Sequence, residues 1–135
     1  MKESRQFRAA FSELDQMMKW IREILGQFAL PSKSKKFELA IEEALVNVLH
    51  YAYSTYPPGI VELEYAKQPE KLEIVIKDQG RPFNPLENPK PFDKDAALED
   101  RDIGGLGIHF ILKMSDSATY QRVDGWNILT LAQLT

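Results

Sequence analysis

The sequence predicts an α+β domain, a two-layer α/β sandwich with helices on one face of a mostly antiparallel sheet. Three observations carry that prediction. Two N-terminal segments repeat their apolar residues at helical spacing, two later segments alternate apolar and polar residues, and the chain closes on a hairpin pattern around Asp124-Gly125. The 135-residue length suits one domain, residues 1–135, with one core.

Taken in order, the stretch around Arg5 to Ala10 reads as an edge strand. In "SELDQMMKWIREILGQF", Leu14, Met17, Met18, Ile21, Ile24, Leu25 and Phe28 form a helical stripe, with Ser12 and Asp15 as a cap signal and Leu30-Pro31 as the stop. A second helix is expected after "PSKS", running to about Tyr53 on a stripe of Phe37, Ala40, Ile41, Ala44, Leu45, Val48 and Ala52. Because Leu39, Val46 and Leu49 make it apolar on the other side too, it is expected to be buried on more than one side. "IVELEYA" and "KLEIVIKD", joined by "KQPE", read as an antiparallel pair with one polar face. The proline-rich segment that follows lacks periodicity, and a long irregular loop inside a compact domain is usually functional or disordered. After it come glycines, a helix to about Met114, and strands "SATYQRV" and "WNILTLAQL" flanking the Asp-Gly turn.

Composition narrows the function classes. Apolar residues are 44% and charged residues 27%, an ordinary globular balance, and the net charge of −3 argues against a nucleic-acid partner. With no cysteine there are no disulfides or thiolate metal sites, and two histidines, His50 and His109, are too few for an ordinary zinc site. No apolar run approaches the roughly 20 residues a membrane helix needs, and "MKESRQFRAAF" lacks the apolar stretch of a signal peptide. The expectation is a soluble cytoplasmic domain with no membrane association.

Three short stretches carry chemistry. Glu43 and Asn47, four residues apart, share one helical face on the flank of the main stripe. Asp78 ends a strand and Gly80 opens a turn, where a carboxylate could accept from an exocyclic amine such as that of adenine while the glycine lets backbone approach a flat ring. Gly104, Gly105 and Gly107 precede an apolar helical run, and a helix N-terminus cleared of side chains offers bare N–H groups to a phosphate. Singly, each has a plainer reading: a solvated helix edge, a strand-ending turn, an ordinary glycine turn.

Together, E-x-x-x-N on a helix, D-x-G-x-P-F after a strand and G-G-L-G opening a helix resemble the nucleotide-binding domain shared by gyrase-type ATPases, heat-shock chaperones, sensor histidine kinases and MutL, the GHKL or Bergerat fold. Within that superfamily the chain is most similar to the bacterial anti-sigma-factor serine/threonine kinases. The resemblance implies ATP and Mg²⁺ as cofactors, Asn47 as the metal ligand and Glu43 as the catalytic base. It also implies Asp78 as the adenine-reading residue with Gly80 beside the ring, Gly104, Gly105 and Gly107 at the phosphates, and a lid over residues 84–103. Arg101 is the candidate for an arginine near the terminal phosphate, and Thr130 matches a threonine near the adenine. The family shows N-x-x-x-H-A-Y after the metal asparagine, where this chain has "NVLHYAY"; Tyr51 takes the histidine place, and His50 is assigned no role.

The function so implied is an ATP-dependent protein serine/threonine kinase and partner-switching regulator. Its substrate would be a STAS-domain anti-anti-sigma protein, and it would hold a sigma factor or other regulated protein. A homodimer through the first strand and helix is a further implication. The alternative is a non-catalytic ATP/ADP-binding module that sequesters a partner; Glu43 favours the kinase, since binding alone requires no base. A eukaryotic-type kinase is excluded by length and by the absence of V-A-I-K and H-R-D patterns.

Overall fold

The computed structural model describes residues 1–53, 59–87 and 111–135. The described strands are β1 (Lys2–Arg8), β2 (Ile60–Lys67), β3 (Lys71–Asp78), β4 (Ser117–Val123) and β5 (Trp126–Leu134). They form one five-stranded sheet in the order β1-β2-β3-β5-β4, antiparallel at every pairing. Helices α1 (Leu14–Phe28) and α2 (Pro31–Asn47) share a core with one face of this sheet, through Val61, Leu63, Tyr65, Leu72, Ile74, Ile76, Leu129 and Leu131. The predicted α+β sandwich is the observed fold.

Strand β1 lies three residues earlier in the chain than expected at its start, and pairs along its whole length with β2, from Lys2 opposite Ala66 to Arg8 opposite Ile60. Helix α1 buries Met17, Met18, Ile21, Ile24 and Leu25 as its spacing predicts, and Trp20 besides. Ser12 does not cap it. A 3₁₀ turn over Phe11–Glu13 runs directly into the helix, and the Glu13 N–H is satisfied by the Ala10 carbonyl at 2.9 Å. The C-terminal hairpin is as predicted, with Asp124 at φ 50° and Gly125 at φ 86°, the doubly positive geometry of a two-residue turn matched to strand twist.

Two expectations for α2 need correction. The helix begins at Pro31 itself rather than after "PSKS". Proline's fixed φ suits the first helical position, where its missing N–H is no loss, so the residue that ends one helix opens the next. The Leu30 N–H between them is held by Gln133 Oε1 at 3.2 Å, and Lys33 pairs with Asp116 at 2.9 Å, fastening the helix start to the C-terminal strands. The helix is also not enclosed. Phe37, Ala40, Ile41, Ala44 and Leu45 are fully buried, but Leu39 is 47% exposed and Val46 and Leu49 are half-buried. One face meets α1 and the sheet, and the face carrying Leu39 and Glu43 stays accessible.

On β2 and β3 the sheet's other face is largely polar, as expected for that pair, yet Glu64 on it is buried. Lys2 at 2.9 Å and Lys77 at 3.2 Å close over it from the two neighbouring strands. Opposite charges on adjacent strands are a favourable cross-strand arrangement.

Candidate nucleotide site

Helix α2 ends at Asn47 and widens into a π turn over Val48–Ala52. Such turns recur at functional sites because they break the regular ladder. Asn47 is buried, and its Nδ2 donates to the Glu43 carbonyl at 2.9 Å. That bond fixes which end of the amide is nitrogen. It leaves Oδ1, a neutral oxygen with no bond from any described residue, as the free acceptor. One turn earlier, the half-buried Glu43 carboxylate has no cation or donor paired with it among the described residues.

Asp78 closes β3 on the sheet face that meets the helices and is 1% exposed. Its Oδ1 accepts from the Gly80 N–H at 2.9 Å and from Asn127 Nδ2 at 2.8 Å. No described residue donates to Oδ2, so this oxygen is available to an amine. Burial pushes the Asp78 carboxyl above the usual range, partly offset by the Asn127 and Gly80 hydrogen bonds and by the charge of Arg122.

The end of α2 and the Asp78 turn are locked together. The Arg81 N–H donates to the Ala52 carbonyl at 2.8 Å and Arg81 Nε to the Tyr51 carbonyl at 2.9 Å. Arg122 Nη1 holds the Gly80 carbonyl at 2.8 Å, and the Tyr53 hydroxyl donates to the Ile60 carbonyl at 2.8 Å while accepting from the Gln79 N–H at 2.9 Å. A Cβ on Gly80 would lie 2.3 Å from the Ala52 oxygen. The space left by this glycine is therefore filled by the chain's own backbone, a different reason for glycine than approach to a flat ring. Asn47, five residues before Ala52, and Asp78, two before Gly80, are in this way carried by one rigid junction.

Thr130 is not brought to Asp78. It sits on β5 between Val75 and Thr119, and strand alternation turns it to the opposite face of the sheet. The residue directly across from Asp78 is Asn127, buried at 3% exposure. The sequence reading passed over it, although a polar residue on the inward parity of Asn127, Leu129 and Leu131 was the available signal. His50 is exposed at the helix end, with its ring edge-on to Phe11 and Tyr51, in keeping with no assigned role. Tyr51, in the family's histidine place, packs its ring 5.2 Å from Phe83 of the D-x-G-x-P-F turn. Arg101, Gly104, Gly105, Gly107 and the expected lid from residue 88 onward lie outside the described residues.

The pH behaviour of Asp78 gives a test within the fold. A carboxyl whose folded pKa is raised contributes stability that is full below the unfolded carboxylate range and is lost as pH rises through the folded pKa. Asp78→Asn keeps an Oδ1 for Gly80 and Asn127 but carries no charge. Thermal melts without nucleotide are expected to show the variant more stable than the parent at neutral pH, with the gain shrinking on acidification.

The five-stranded antiparallel sheet with helices on one face is the fold of the GHKL ATPase class. The model of the histidine kinase-like ATPase domain matches residues 7–133, and the chain belongs to that family. Serine/threonine-protein kinase BtrW of Bordetella bronchiseptica is 30% identical over 93 residues, 69% of this chain and 65% of its own length. Serine-protein kinase RsbW of Staphylococcus aureus is 31% identical over 96 residues, 67% of this chain and 60% of its own. These alignments thus span less than two thirds of either relative. Among the described residues no helix is long and apolar enough to cross a membrane.

Proposed function

We propose that this protein is an ATP-dependent serine/threonine protein kinase that acts as an anti-sigma-factor-type partner switch in the cytoplasm, phosphorylating a STAS-domain antagonist. The observation that supports this reading is the junction of α2 with the Asp78 turn, which carries an amide oxygen and a Glu43 carboxylate without partners among the described residues, and a buried Asp78 carboxylate with one open oxygen. The names of the two relatives, both protein kinases, support transfer to a hydroxyl rather than binding alone.

In this reading Asp78 Oδ2 accepts from the adenine amine, and Asp78→Asn, which turns a donor toward that amine, weakens adenine nucleotides by about 10- to 100-fold. The donor set fits magnesium. Mg²⁺ takes few protein ligands and keeps waters and phosphate oxygens, so one oriented amide oxygen, Asn47 Oδ1, is enough to hold it. When bound, the ion neutralises charge on the phosphates. Glu43 takes the proton from the substrate hydroxyl as the phosphoryl group moves. By the family pattern the backbone at Gly104, Gly105 and Gly107 receives the phosphates, with Arg101 at the terminal one and residues 84–103 as the lid.

The regulatory partner is a sigma factor or another protein held until its antagonist competes, and phosphorylation of the antagonist stops that competition. Pairing of two copies through β1 and α1 belongs to the same reading. The test mixes the protein with the STAS proteins of its own genome and Mg²⁺-ATP and measures intact mass. A gain of one phosphoryl group on a serine or threonine is expected. Tight nucleotide binding without transfer to any STAS protein would instead identify a sequestering module.

A further inference from the structure

Among the described residues, Asn127 is the one buried polar side chain at the site with a full set of bonds. Its Nδ2 donates to Asp78 Oδ1 at 2.8 Å and to the Arg81 carbonyl at 2.8 Å. Its Oδ1 accepts from the Phe83 N–H at 3.2 Å and from the Tyr120 hydroxyl. An amide has two N–H donors and two lone pairs, so Asn127 has nothing left to offer a ligand. A threonine at this place would have one donor and could not span the same partners.

We infer that Asn127, braced by Tyr120, is the positioning residue of the base-reading site: it pins Asp78 Oδ1 so that only Oδ2 is presented, and it ties the carboxylate to the turn carrying Arg81 and Phe83. This rests on the nucleotide reading above, in which Asp78 reads the base. The arrangement is a network across three strands. Tyr120 is on β4, Asn127 on β5 and Asp78 on β3, and the turn after β3 joins them through the Arg81 carbonyl and the Phe83 N–H, both bonded to Asn127. Buried networks of this kind specify one geometry when every member is satisfied and are costly when one is not. The other ionisable groups that reach Asp78 are Arg122, Tyr53 and Tyr120, and neither tyrosine is driven toward ionisation, since burial raises both.

The deciding variant is Asn127→Asp, which keeps an acceptor for Phe83 and Tyr120 but sets an oxygen against Asp78 Oδ1 and the Arg81 carbonyl. Two facing carboxylates cannot both ionise cheaply and share a proton, and the protonated pair regains a donor. Calorimetry with ADP is expected to show about 10- to 100-fold weaker binding than the parent at mildly alkaline pH, with the deficit shrinking as pH falls. Asn127→Thr, which retains one donor for Asp78, is expected to lose less, under about 10-fold. A residue that only stabilises the fold would leave ADP affinity at the parent value at every pH where melts show the variant fully folded, and that result overturns the inference. In parallel, carboxyl NMR of the nucleotide-free protein follows Asp78 directly. Its titration midpoint is expected to move up by about one pH unit or more in Asn127→Asp. An unmoved midpoint rejects the clamp, whether or not ADP binds. Failure of the parent to bind ADP, with the midpoint shifted, would strike the nucleotide reading and leave the clamp standing.

Discussion

Glu43→Ala is expected to bind ATP and ADP like the parent and to lose phosphotransfer by about 100- to 10,000-fold, the usual worth of a positioned general base. The structure makes this a clean substitution. The Glu43 atom that anchors Asn47 is its backbone carbonyl, which alanine retains. The side chain is half-buried with no described partner, so its removal orphans no buried group. Alanine is also the strongest helix former, so α2 should persist. Calorimetry of nucleotide binding beside single-turnover transfer to the proposed STAS-domain substrate separates the roles. Joint loss of affinity and transfer would make Glu43 a binding residue and remove the base from the proposed chemistry.

The second large effect is expected at Asn47. Asn47→Ala should weaken Mg²⁺-ATP by at least about 10- to 100-fold, a loss typical even of partners one shell out from a metal, while metal-free nucleotide is nearly unaffected. The distinction follows from the geometry. Nδ2 is engaged by the Glu43 carbonyl, so the residue's contribution to a ligand is the one oxygen Oδ1. Titrations with ATP in the presence of Mg²⁺ and in its absence, with excess chelator, check it. Equal losses under both conditions would assign Asn47 to packing at the helix end.

Much of the architecture was legible because it rests on periodicity. The inward residues of α1 and α2 and the alternation of β2, β3 and β5 are set by where apolar side chains recur, and burying each large one is worth about 1.5–3 kcal/mol. The Asp124-Gly125 hairpin was legible because few other residue pairs tolerate two positive φ angles. The start of α2 was misread because proline is equally a stop and a first residue, and only the backbone distinguishes them. Its expected enclosure failed because Leu39 and Val46 were counted for their hydrophobicity, with no knowledge of how many sides the sheet would cover.

The site divides in the same way. Glu43 and Asn47 sit on one face by helical arithmetic alone, and Asp78-x-Gly80 is a local motif. The sequence by itself therefore determined the fold class, the inward faces and the residue types available for nucleotide chemistry, since each depends on neighbours within a few positions. Only the tertiary structure decided that Asn127 and not Thr130 faces Asp78, because strand register is a pairing between segments some fifty residues apart and one step of slip reverses every side chain. It also decided that Gly80 makes room for the Ala52 carbonyl, a contact between a helix end and a strand end that no local pattern encodes.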